Sequence, residues 1–201
     1  MLVLLDIGNT RTKYCFVNQG KRSPQQAILN QSISNAFLCD NFSSVVKVVV
    51  ASVSNTAATD QINAWCLGNN IVYQQVYSEI KKNKIVSGYE DPNQLGVDRW
   101  LALIGAARLY PNKNLLIIDA GTATTIDFLE EKESLAFGFN TSENVHNAAW
   151  AATIGAIHLA ISKIENQGLI LDEVIITGGN GNSLAQLITH KSTVISELVF
   201  N

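Results

Sequence analysis

The sequence predicts an α/β fold built as two related halves, and three observations lead there. Apolar, β-branched runs alternate with helix-like periodic stretches, the pattern of strands and helices around a mixed sheet. A unit of apolar run, aspartate, glycine turn and second strand-like run occurs twice, at Leu4-Leu-Asp6-Ile-Gly-Asn-Thr10 and at Ile117-Ile-Asp119-Ala-Gly-Thr122, with the aspartates 113 residues apart. The 201 residues, 47% hydrophobic and 15% charged, are enough for an ordinary buried core divided between two lobes that share a cleft.

Val3-Leu-Leu is a strand ending in the polar turn Asp6 to Thr10, and Tyr14 to Val17 is the strand that returns. Val45 to Val53 is nearly continuous in β-branched residues and predicts a strand buried on both faces. Asn55-Thr56 offers a cap for a helix over Ala57 to Leu67, which Gly68 stops, and Ile71 to Val76 is again a strand. Leu101, Leu103, Ile104, Ala107 and Leu109 mark a helix over Asp98 to Tyr110, ended by Pro111. Leu115 to Ile118 and Thr124 to Leu129 are strands on either side of the second turn. An Ala-rich helix is predicted over Glu143 to Ile164, then a strand at Val174 to Ile176 and a helix starting near Ser183.

Composition excludes several classes of function. A net charge of -3, with Lys81-Lys82-Asn83-Lys84 as the only basic run, argues against a nucleic-acid surface. No apolar run approaches the roughly 18 residues of a spanning helix, and the N-terminus lacks the basic start of a signal peptide, so no membrane association and a cytoplasmic location are expected. Cys15, Cys39 and Cys66 are an odd number at wide, irregular spacings, which indicates neither a disulfide framework nor a zinc site.

Chemistry concentrates in the glycine turns. Gly8 and Gly121 let backbone approach a ligand, turn N–H groups can point at phosphate oxygens, and Thr10, Thr122 and Thr124 add hydroxyls. Asp6 and Asp119 would repel phosphate unless a cation stands between, so a metal is implied, while Arg11 and Lys13 can neutralise transferred charge. One such turn is explained by an ordinary hairpin; two in register favour a nucleotide site. Thr177-Gly-Gly-Asn-Gly181, a third glycine turn, offers a flat backbone face to a planar base. Leu95-Gly-Val-Asp-Arg99 brings a carboxylate and a guanidinium to a helix start. There Asp98 serves either as N-cap or as general base toward a hydroxyl, with Arg99 suited to a bidentate grip on a substrate carboxylate.

Asp6-x-Gly-Asn-Thr-Arg-x-Lys13, Pro92-x-x-Leu-Gly-x-Asp-Arg-Trp100 and Asp119-Ala-Gly-Thr-Ala-Thr-Thr-Ile-Asp127 together resemble, in order, the three signature stretches of the type III pantothenate kinases. The resemblance implies the duplicated actin-like ATPase fold, ribonuclease H-like in each half, with two half-domains around a nucleotide cleft. Residues 1–112 would carry the first phosphate motif and the substrate motif, and residues 113–201 the second phosphate motif and the adenosine-type glycine turn. It implies a homodimer that uses ATP, with magnesium, to phosphorylate pantothenate to 4'-phosphopantothenate, the first step of coenzyme A synthesis. Asp6, Ile7, Gly8, Asn9, Thr10, Arg11, Thr12 and Lys13 would line the ATP phosphates, joined by Thr122. Tyr89, Gly96, Val97, Asp98 and Arg99 would hold pantothenate with Asp98 as proton acceptor, and Thr141 would reach it across the dimer interface. Asp119 would bind a monovalent cation, potassium or ammonium.

The chain departs from that pattern in one place. Family members carry a further strand, loop and helix between the second aspartate motif and the Gly-x-Asn-Thr stretch, whereas Leu129-Glu-Glu-Lys-Glu-Ser134 here passes almost directly to Phe137-Gly-Phe-Asn-Thr141. The second half is therefore expected to lack a core strand. The alternative function is a nucleotide-binding regulatory relative that lost turnover with that segment.

Overall fold

The computed structural model describes residues 1–53, 57–89, 91–121, 124–131, 135–142 and 148–201, without the side chains of 93, 135–142 and 148–151. The chain forms two compact units, Met1–Ser78 with Gly96–Asp98, and Glu79–Leu95 with Arg99–Asn201.

In the first unit β1 (Leu2–Ile7) and β2 (Arg11–Asn18) form an antiparallel hairpin. Two short strands, β3 (Lys21–Arg22) and β4 (Gln26–Leu29), both pair with β2. α1 (Asn35–Phe42) leads to β5 (Lys47–Ser52), and α2 (Ala57–Gly68) to β6 (Val72–Val76); β5 runs parallel to β1, and β6 to β5. The sheet order is β3-β2-β1-β5-β6. Val3, Leu5 and Ile7, at alternate positions of β1, pack with Val48 and Val50 of β5 against Leu38 and Phe42 of α1 and Ile62 and Trp65 of α2. β5 buries Val48 and Val50 fully but Val49 only in part, so it alternates rather than being buried on both faces as its composition predicts.

The second unit opens with β7 (Lys81–Lys82) and β8 (Ile85–Ser87), a small hairpin turned through Asn83 at φ 55°. α3 (Val97–Leu109) follows, and the boundary between the units falls inside its first turn. β9 (Leu115–Ala120) and β10 (Thr124–Leu129) are the second antiparallel pair, extended by β11 (Leu135–Ser142). α4 (Ala148–Asn166) leads to β12 (Glu173–Thr177), then α5 (Gly181–Ala185) and β13 (Ser192–Val194). The order is β13-β12-β9-β10-β11-β8-β7.

Helices cover both faces of this second sheet. Leu116 and Ile118 of β9 join Ile157, Ile161 and Ile164 of α4, while Leu115 and Ile117 join Trp100, Leu103 and Ala106 of α3. That double burial explains why Leu115 to Ile118 is an uninterrupted apolar run.

Each unit has the same plan. The first strand is central, the second returns antiparallel beside it, a third extends that side, and two later strands lie parallel on the other. β11, antiparallel to β10, occupies the third place in the second unit, so the expectation of a missing core strand is corrected. Leu135–Ser142 supplies it despite the shortened connection, because the open edge of β10 satisfies its backbone hydrogen bonds.

Candidate functional site

The first aspartate motif lies on the β1–β2 hairpin. Val3, Leu5 and Ile7 take the core face of β1, which leaves Asp6 on the opposite face, at 8% exposure, across from Lys13 of β2 and Ala51 of β5. The turn is closed by the Gly8 N–H donating to the Arg11 carbonyl at 3.1 Å, and Asn9, Thr10 and Arg11 are exposed at its tip. A residue absent from the sequence reading holds it in shape. Asn30, following β4, donates from Nδ2 to the Gly8 carbonyl at 2.8 Å and from its backbone N–H to the Thr10 carbonyl at 3.0 Å. The fully buried Thr12 hydroxyl donates to its Oδ1 at 2.8 Å.

At the start of α3, Asp98 is the second helical residue and not the N-cap. Its carboxylate sits over Gly96, where an added Cβ would lie 2.6 Å from Oδ1. That contact explains the glycine, and an acidic group in a first helical turn is also favoured by the helix dipole.

Arg99 belongs to the second unit. Its Nε and Nη2 donate to the two oxygens of Asp127 at 3.0 and 2.5 Å, Nη2 also reaches the Tyr89 hydroxyl at 3.3 Å, and the guanidinium lies 5.9 Å from the Tyr89 ring centre. Burial pulls the guanidinium down, but hydrogen bonds and charge from Asp127, then Tyr89, outweigh it and hold the group above its ordinary value. The bidentate fork expected for a substrate carboxylate is thus engaged by Asp127, which is 3% exposed on β10. The sequence signal was an acidic residue between Ile126 and Phe128, a costly position unless paired.

The second aspartate motif meets the third glycine turn. Asp119 is half-buried near the end of β9, in register with Thr177 of β12 and Thr125 of β10. Gly178, at φ 89°, packs so closely that a Cβ would fall 2.5 Å from Asp119 Oδ1 and from the Ala120 carbonyl carbon. Asn180 N–H donates to the Ala120 carbonyl at 3.0 Å. Of the three glycines proposed to face a base, Gly178 is used against β9 and Gly181 opens α5, while Gly179 alone has open space around it.

A cation beside Asp119 fits this surrounding. Among the described residues the buried Thr125 hydroxyl, in the same cross-strand row, has no hydrogen-bond partner, and hydroxyls and carbonyls are the oxygen donors a hard cation takes. Among the described residues no cluster of three His, Cys, Asp or Glu side chains gathers. Thr122 lies outside the described residues, and Thr141 stands opposite Thr125 on β11 without a described side chain.

Comparison with known proteins supplies the family. Residues 2–139 match the model of the type III pantothenate kinases. A type III pantothenate kinase of Colwellia psychrerythraea (strain 34H / ATCC BAA-681) is 40% identical over 226 positions, covering 96% of this chain and 90% of its own length. One from Pseudoalteromonas translucida (strain TAC 125) is 29% identical over 92% of this chain and 88% of its own. Since 96% of 201 residues is about 193, some 33 of the 226 positions face no residue here. Among solved structures, a Sinorhizobium meliloti protein assigned to the 2-dehydro-3-deoxygalactonokinases superposes with TM-score 0.57 at 10% identity, covering 100% of this chain and 96% of its own. A Campylobacter jejuni protein assigned to the Baf family of transcriptional activators gives 0.54 at 17%, covering 98% and 93%. At these identities the structures show the fold alone, the duplicated actin-like and sugar-kinase-like ATPase architecture.

Proposed function

The chain belongs to the type III pantothenate kinase family, and from that premise we propose how its residues phosphorylate pantothenate with ATP in coenzyme A biosynthesis. The family match, reaching across all three motifs, carries this reading. Asp98, in the first turn of α3, accepts the proton of the pantothenate hydroxyl as that oxygen attacks the γ-phosphorus of ATP, and the bond to the β,γ-bridging oxygen breaks to release ADP. Asp6 to Lys13 hold the triphosphate through backbone donors and through the charges of Arg11 and Lys13. Gly96 and Val97 hold the acceptor with Tyr89, Arg99 and, from a second copy, Thr141.

Asp119, with Thr125 and Thr177 beside it in register, is the proposed holder of a monovalent cation, which would offset phosphate charge, and magnesium accompanies ATP. A homodimer in the cytoplasm completes the reading. Among the described residues no helix is long and apolar enough to cross a membrane.

The second reading, a relative that binds nucleotide without turnover, drew on an incomplete second half. β11 in the third-strand place favours the kinase instead. Mass spectrometry of a mixture with ATP, magnesium and pantothenate, in potassium or in sodium, tests the proposal. Phosphopantothenate that accumulates several-fold faster in potassium is expected. No phosphorylated pantothenate from protein that still binds ATP contradicts the kinase, and equal rates in the two salts contradict the cation site.

A further inference from the structure

We infer that Asn30 is a positioning residue for the nucleotide: it sets the β1–β2 turn in the form that accepts phosphate. The inference rests on the nucleotide-binding role of that turn and adds a residue that none of its motifs contains. A hairpin turn exposes carbonyls as readily as N–H groups, and a carbonyl dipole aimed at a triphosphate repels it. Asn30 removes two such acceptors, taking the Gly8 carbonyl with its side-chain amide at 2.8 Å and the Thr10 carbonyl with its backbone N–H at 3.0 Å. The amide is itself held, because Oδ1 accepts the Thr12 hydroxyl at 2.8 Å and so fixes which end of the amide faces Gly8. With both carbonyls tied back, the turn presents donors to an anion.

The arrangement uses every part of an asparagine. An aspartate keeps the Thr12 contact but has no N–H for Gly8 and brings a negative charge to a phosphate site; an alanine loses both side-chain contacts and keeps the backbone bond to Thr10. Thr12 is fully buried and its hydroxyl donates to Asn30 Oδ1, so Thr12→Val removes the contact that orients the amide.

The test is calorimetric binding of ATP with magnesium to the wild type, Asn30→Ala, Asn30→Asp and Thr12→Val, with urea midpoints and steady-state kinetics on the same proteins. Binding should weaken about tenfold in Asn30→Ala, more in Asn30→Asp and several-fold in Thr12→Val. The KM for ATP should rise while the KM for pantothenate stays within about twofold. A purely structural residue would lower the urea midpoint and leave both affinities of the folded protein unchanged, which would overturn the inference. ATP affinity of Asn30→Ala equal to wild type, or a wild type that binds no ATP, would overturn it too. Because binding is read without turnover, a wild type that binds ATP but fails to phosphorylate pantothenate contradicts the kinase reading while the effect on Asn30 still stands or falls by itself.

Discussion

Arg99 and Asp98 are neighbours in sequence with different work to do. The Asp98 carboxylate lies over the helix start at Gly96, whereas Arg99 is drawn into a buried fork with Asp127 under the Tyr89 ring. A side chain engaged in this way does not swing freely, so Asp127 fixes the direction of the guanidinium. Removing one partner of a buried pair leaves the other charge without compensation, which typically costs about 3–5 kcal/mol. Asp127→Asn should therefore lose stability of that order in urea unfolding, together with affinity for pantothenate. Wild-type stability in the variant would mean that solvent already screens the pair. The charges here are legible only as types: the sequence shows an aspartate in an apolar strand and an arginine at a helix start, but 28 residues separate them and only the sheet brings them together.

Among the elements, those that local chemistry determines were readable and those that pairing determines were not. β1, β2, β9, β10, α3 and β12 follow from apolar runs, glycine turns and a 3.6-residue period in the sequence. α1 has eight residues and little periodicity, and its one local signal is Ser34, whose hydroxyl accepts the Phe37 N–H at 3.2 Å as an N-cap. β11 contains Gly138 and Asn140, which dilute a strand signal, and it exists because the edge of β10 is there to pair with. Asn30 has no local signature whatever, since its partners come from the far side of a hairpin. The third glycine turn was readable as a turn but not in its use. Gly178 at φ 89° is pressed against Ala120 and Asp119, so Gly178→Ala meets backbone strain and a steric overlap together. A loss of roughly 1–3 kcal/mol and a weaker response of activity to potassium are expected, and thermal melting with a potassium titration checks both. An alanine variant with unchanged melting and potassium response would show that the β9–β12 approach is not as tight as described.

At the scale of the whole molecule, duplication is the organising fact. Two sheets with the same placement of first hairpin, third strand and parallel pair each end their central strand in an aspartate and a glycine turn. The repeat was visible in the sequence as two short motifs, and the resemblance of all three signature stretches gave the family, which the comparison with its relatives then established. The shortened connection before Leu135 looked like a loss of architecture, yet the second unit retains its strand order, so chain length alone is a poor guide to whether the chemistry survives. The most direct test is ADP release from ATP with potassium and magnesium, with and without pantothenate, for the wild type and Asp98→Asn. Release that requires pantothenate and falls by roughly 10²–10⁴-fold in the variant, with ATP binding retained, is the predicted result for a general base. Pantothenate-dependent release that persists in Asp98→Asn, or release indifferent to pantothenate, would contradict it.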